Sequence, residues 1–214
     1  RFYGSRDERN CQEIVHTSVL LAIICGIALI FIGIIVSPVV LSLMGAPDDV
    51  LSHAVLYMRI IFIGMPVLML YNFGAGILRA VGDTKRPLIY LTFAGILNVI
   101  LNLTLVIVFD MGVAGVAIGT IASQAVSAVL ILRCLIRSEG LYHLDLGKLR
   151  ISRDKLVLIV KVGLPAGIQG ALFSVSNVIL QASINTFGST AMAGSAASQN
   201  IENFVYVSMN ALYQ

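Results

Sequence analysis

Two unbroken apolar runs, Ile60 to Leu78 and Leu88 to Val108, meet in a stretch that reads LRAVGDTKRP, Leu78 to Pro87. Each run is close to the ~20 residues that a helix rising ~1.5 Å per residue needs to cross a ~30 Å hydrocarbon layer. Inside such a layer the backbone must satisfy its own hydrogen bonds, which a helix does within one segment. Gly82 suits the left-handed cap that ends a helix. Pro87 suits a first helical turn, where a missing N–H costs nothing. The stretch predicts a tight hairpin between two spanning helices, and its cations Arg79, Lys85 and Arg86 mark the side on which the turn lies.

The rest of the chain agrees. Of its 214 residues, 58% are apolar and 12% are charged, against about 25% charged in a soluble domain. The expected fold class is an all-α integral membrane protein with six transmembrane helices. The net charge of +3 comes from cations scattered over several loops, which argues against nucleic acid as a partner. Cys11, Cys25 and Cys134 lack CxxC or Cys/His spacing and read as ordinary reduced residues. The chain starts at Arg1 without a Met and stops at Gln214 inside a helical pattern, so it reads as a piece of a longer protein.

The first span is expected over Thr17 to Leu43, with Gly26 and Gly33 on one face as a close-packing surface. The turn at Gly45–Ala46–Pro47–Asp48–Asp49 carries acids and no cation. In the second span, Ile60 to Leu78 would measure about 28 Å as a straight rod, which puts Arg59 and Arg79 at opposite interfaces. The third span is Leu88 to Val108. The fourth is Val113 to Leu132, starting on the GxxxG of Gly115 and Gly119. Residues 138–155 read as a surface-lying linker. The fifth span runs from Leu156 to Phe187 with an interruption at Gly163–Leu164–Pro165, and the sixth starts near Thr190. Every Lys and Arg except Arg59 falls within 1–13, 79–86 or 133–161. The positive-inside rule therefore puts both ends of the chain in the cytoplasm, and the expected location is multi-pass in the plasma membrane.

Polar side chains at bilayer depth carry the functional signal, because lipid tails leave them unsolvated. Glu202 falls about twelve residues into the sixth span. At 100° per residue, Gln199, Glu202, Asn203, Tyr206 and Asn210 share an arc of roughly 100°, a stripe that calls for water or protein beside it. Gln169, Asn177 and Gln181 form a weaker stripe on the fifth span. Asn98, Asn102 and Gln124 could line a cavity or join helices. Among these groups Glu202 carries the charge that can titrate or ligate a cation; no metal is assigned, and Na⁺ near Glu202 is the candidate.

These residues together resemble a known family. Leu78 to Pro87 is similar to the loop signature of the multidrug and toxic compound extrusion (MATE) transporters. The resemblance extends to Tyr57–Met58–Arg59, Gly64–Met65–Pro66, Asn98xxxAsn102, Gly112 to Ala117 with Thr120, Gly163–Leu164–Pro165, Phe187–Gly188 and Ala191 to Gly194. It implies a two-lobe, twelve-helix transporter, of which this chain resembles spans three to eight. Residues 1–137 would be most of the N-terminal lobe, 138–155 the cytoplasmic linker and 156–214 the start of the C-terminal lobe. The remaining spans at both ends would then be its partners.

The implied activity is export of lipophilic or cationic drugs by alternating access, coupled to inward H⁺ or Na⁺, with the bilayer and drug-like molecules as partners. No cofactor beyond the coupling ion is expected. The family's first-span Asp is not in this sequence. Phe173–Ser174 stands where some sodium-coupled members carry an acid after the GLP proline. The alternative is a flippase for lipid-linked oligosaccharides, which would gather Arg and Lys at mid-depth for a diphosphate. An intramembrane enzyme is not expected, since no HExxH or GxSxG motif is present.

Overall fold

The computed structural model describes residues 3–44, 48–138 and 140–213, except for the side chains at 48, 49, 189 and 210–213. The described residues form helices and no strand: α1 (Glu8–Leu43), α2 (Asp48–Ile63), α3 (Met65–Ala80), α4 (Lys85–Leu103), α5 (Gly112–Arg137), α6 (Arg153–Asn185) and α7 (Ser189–Tyr213). A π-turn, Thr104–Val108, extends α4. Four helices are long and apolar enough to cross a bilayer: α1, α4 with its π-turn, α5 and α6. The pair α2 and α3 makes a fifth, bent by 49°. Of the six expected spans, α7 is helical over 25 residues, but its Ser, Gln, Asn and Glu residues leave it less apolar than the others. Residues 45–47 of the acidic turn lie outside the described residues.

The hairpin at Gly82 forms as its sequence predicts. Gly82 has φ +88, and the Asp83 N–H donates to the Leu78 carbonyl (2.9 Å) while the Gly82 N–H donates to Arg79 (3.0 Å). These two bonds are the Schellman closure of a helix end. Asp83 then caps α4 by accepting from the Arg86 N–H at 3.1 Å. The Tyr71 hydroxyl donates to the Pro87 carbonyl at 3.3 Å, tying the two arms together.

Three expectations need correction. The second span is not one straight rod. Pro66, at the second position of α3, cannot supply the N–H that a continuous helix requires, so α2 ends on Gly64 and α3 restarts from its carbonyl, which accepts from Val67 and Leu68 at 3.1 Å. The straight-line separation of Arg59 and Arg79 fails with it. Second, Gly163–Leu164–Pro165 does not interrupt the fifth span, because α6 is helical through Pro165. Third, the 138–155 connection is more than a surface-lying linker. Its Leu144 is fully buried among the α1, α3 and α5 side chains, and its backbone is fastened to α1. There the Asp145 N–H donates to His16 Nε2 (3.1 Å) and the Ser152 N–H to Thr17 Oγ1 (3.1 Å). Lys155 Nζ, largely buried, donates to Asn10 Oδ1.

Electrostatics trim this end of the molecule. Asp7 caps α1 through the Asn10 N–H, and the Asn10 side chain holds its carboxyl below the ordinary value of 3.8. Asp145 is lowered likewise, first by Lys148 and then by the Gly147 N–H. A depressed carboxyl stabilises the fold at neutral pH and loses that contribution as pH falls through its folded-state value, below 3.8.

The core sits where α1, α3 and α5 meet, built from Val15, Val19, Tyr71, Leu78, Ile131 and Leu135. Helices approach closely where one presents a glycine. Gly26 faces the backbone of Pro66, Gly33 the ring of Phe62, and Gly119 the side chain of Asn102. Serine and threonine hydroxyls along the spans fold back onto carbonyls four residues earlier, as Thr92 does to Leu88 (2.9 Å), Thr104 to Ile100 (2.8 Å) and Ser183 to Ile179 (3.0 Å). Such bonds satisfy a hydroxyl without a partner helix.

Between α4 and α5 runs a polar seam. Asn98 Nδ2 donates to Thr120 Oγ1 and Ser123 Oγ, each at 3.3 Å, and Asn102 Nδ2 donates to Asn98 Oδ1 at 3.2 Å. Replacing Gly26 by Val would drive a branched side chain into Pro66, so a loss of about 1–3 kcal/mol is expected in thermal unfolding of the purified protein. Gly95→Ala, where an added methyl meets open space, should be neutral or stabilising by up to ~1 kcal/mol. Asn98→Ala removes two interhelical bonds and should cost roughly 1 kcal/mol, read as a lowered Tm with the helix content unchanged.

Candidate functional site

The polar residues singled out in the sequence divide into two groups. Asn98 and Asn102 belong to the α4–α5 seam just described. Gln124 lies on α5 one residue beyond Ser123 of the seam, half-buried, and its Oε1 is enclosed without a hydrogen-bond partner, as is Asn102 Oδ1. Asn98 joins α4 to α5, Asn102 bonds to Asn98 along α4, and none of the three residues is gathered with Glu202.

The second group lies between α6 and α7. Asn177, Gln181 and Ile184 of α6 face Gln199, Glu202 and Asn203 of α7 across a cleft of about 550 Å³. Helical spacing explains the convergence, because 177, 181 and 184 fall on one side of α6, and 199, 202 and 203 fall on one side of α7. The turn between the helices, with Gly188 at φ +88, folds the two stripes toward each other. Met44, at the end of α1, closes one end of the cleft.

That end is held by a chain of bonds that sequence reasoning missed. Gln181 Nε2 donates to Asn185 Oδ1 (2.9 Å), and Asn185 Nδ2 donates to the Met44 carbonyl (2.8 Å). Asn185 extends the spacing of Asn177 and Gln181 by four residues, so the pattern that selected those two could have included it.

Glu202 and Asn203 also border a second, open recess of about 560 Å³, which takes in Tyr206 together with Ile201, Val205 and Met209. Glu202 is exposed and has no ion-pair partner among the described residues. Gln169 lies two turns before Asn177 on α6, exposed and outside the cleft. Asn210 lies outside the residues whose side chains are described. Among the described residues no three His, Cys, Asp or Glu side chains converge as a metal cluster. The cleft instead offers one carboxylate and several amide oxygens, a set suited to a weakly bound hard cation or to a polar organic solute rather than to a transition metal.

The chain as a whole is similar to known proteins. The MatE family pattern matches residues 1–104. The chain is 30% identical over 209 residues to the probable multidrug resistance protein YpnP of Bacillus subtilis, covering 94% of this chain and 45% of that protein. It is 26% identical over 204 residues to the multidrug export protein MepA of Staphylococcus saprophyticus, with 95% and 45% covered. The chain thus spans less than half the length of the curated relatives it matches.

Among solved structures, a MOP-superfamily transporter from Pyrococcus furiosus superposes with a TM-score of 0.81 at 25% identity, over 93% of this chain and 44% of that one. That protein is described as having a binding pocket of reverse polarity that suggests a different function. An inward-facing MATE multidrug resistance transporter superposes with a TM-score of 0.71 at 28% identity, over 77% and 38%. The matched family pattern, the curated relatives and the superposed bundle agree: the chain is similar to the MATE family of transporters over nearly all of its length.

Proposed function

We propose that this chain forms part of a cation-coupled antiporter that exports lipophilic or cationic compounds, and that the α6–α7 cleft contributes to the path of the coupling ion or the drug. The observation that carries the reading is the convergence of Glu202, Gln199 and Asn203 with Asn177 and Gln181 across one cleft. An acid on a membrane helix costs ~2.5–3.5 kcal/mol or more at mid-depth unless it faces water or a partner. A site that alternately takes a proton or Na⁺ and a cationic drug gives such an acid a role. Amide oxygens around it would coordinate Na⁺ or accept hydrogen bonds from a solute, while the apolar side chains of the neighbouring recess would take its hydrocarbon parts.

The same reading supplies the topology. The turn at Gly82, the end of α5 and the 138–155 connection lie at one end with most of the cations, whereas Met44 and Asn185 meet at the other. The cation-rich end would face the cytoplasm in the plasma membrane, with 138–155 joining two lobes and with further spans completing the cavity. A flippase for lipid-linked saccharides has less support, since no Lys or Arg lines the cleft, and a diphosphate would call for them.

The test is dye efflux from proteoliposomes holding the complete transporter, driven in turn by an imposed Na⁺ gradient and an imposed pH gradient. Glu202→Gln should slow coupled efflux of a lipophilic cation at least about tenfold, equivalent to ~1.4 kcal/mol in the transport barrier. An unchanged rate under both gradients would remove Glu202 from the mechanism.

A further inference from the structure

A separate recess lies at the cation-rich end of the α4–α5 pair. Arg86, in the first turn of α4, and Arg133 and Arg137, near the end of α5, border a cavity of about 620 Å³ with Tyr90, Leu130 and Ser138 in its wall. Arg86 is held in place, its Nε 3.2 Å from Asp83 Oδ2 and its Nη1 donating to Cys134 Sγ at 3.5 Å. Arg133 and Arg137 are exposed, and neither has an acidic partner among the described residues. The Ser138 hydroxyl is enclosed yet lacks a hydrogen-bond partner. This recess contains unused donors of the kind that bind phosphate oxygens: two guanidinium forks and one hydroxyl.

The aliphatic part of its lining is Leu130. Leu130 also borders a second groove, formed with Ala125, Val126 and Val129 and without any polar lining. That groove runs along α5 from the arginines into the part of the helix that lies in the membrane. A phosphate-binding mouth continuous with a hydrocarbon groove matches an amphiphile lying along the helix. It does not match a soluble anion, which would have no use for the groove.

We propose that this recess is a binding site for an anionic phospholipid, with the headgroup phosphate on Arg133, Arg137 and Ser138 and an acyl chain along Val126, Val129 and Leu130. The Tyr90 ring, one turn inside Arg86, lies at the depth where amphipathic aromatics favour the headgroup region. Basic pockets between membrane helices hold lipid phosphates by this combination of charge and apolar contact. The assignment depends on the membrane location of the helices and not on the transport reading, so failure of one leaves the other standing.

Native mass spectrometry of the complete, detergent-purified protein tests it, with phosphatidylglycerol, phosphatidylcholine or inorganic phosphate added. Phosphatidylglycerol should be retained over phosphatidylcholine. The double variant R133Q/R137Q should lower phosphatidylglycerol retention at least about fivefold while leaving phosphatidylcholine retention unchanged, and R133K/R137K should keep most of the preference. Should the double variant not fold, R133Q and R137Q singly carry the same comparison. Equal retention of the two lipids, an unaltered preference in the Gln variants, or displacement of phosphatidylglycerol by millimolar inorganic phosphate would each overturn the lipid assignment.

Discussion

Close approach of helix backbones is the constraint on which the rest of the molecule depends. Between helices in lipid there is little hydrophobic gain from leaving one hydrocarbon surface for another, so association rests on packing and on polar contacts. Gly26 against Pro66, Gly33 against Phe62 and Gly119 against Asn102 are the places where a missing side chain lets two helices meet. The first two hold α1 to the broken pair α2 and α3. The third brings α5 near enough to α4 for the Asn98 amide to reach two hydroxyls. Packing and polar bonding here are one arrangement, since the seam forms only because the glycine permits it.

Amides of the same type meet opposite surroundings in two parts of the chain. Asn98 and Asn102 turn into a helix interface and hydrogen-bond across or along it. Asn177 and Gln199 border a cleft in which nothing described satisfies them fully. Helical periodicity assigned each pair to a face of its helix but said nothing of what lies opposite. That depends on which helices become neighbours, a property of the assembled bundle. Glu202 falls on the cleft side together with its amides, and this grouping makes it chemically interesting in a way that its position along the helix alone did not.

Legibility followed the range of the interaction. The Gly82 hairpin was readable because a Schellman closure, an Asp83 cap and a proline in the first turn are all written within ten residues. The break at Gly64 was also local, yet the apolar run masked it, and Pro66 should have outweighed hydrophobicity. Pro165 went the other way, absorbed within α6 at the loss of one backbone bond. The π-turn at Thr104–Val108 left no signal in the apolar pattern. Leu144 was hidden in a polar connection, and its burial depends on contacts with α1, α3 and α5 that lie up to well over a hundred residues away in sequence. The arginine recess escaped for the same reason: Arg86 and Arg137 belong to different helices, and in the sequence each counts only as a cation on one side of the membrane.

The fastening of α6 shows how these pieces bear on motion. Its contacts with α1 concentrate at its two ends, where Lys155 bonds to Asn10 and Asn185 to the Met44 carbonyl. Between those ends its side chains are largely exposed, and Pro165 removes one rung of the helix ladder within that stretch. A helix held at both tips with a weakened rung between them can bend without losing either attachment. Gln169 and Asn177, on the exposed middle of α6, cannot rest against acyl chains without cost. In a membrane that face must therefore look onto water or onto other protein, and the bending of α6 would alter how wide the cleft beside Glu202 stands.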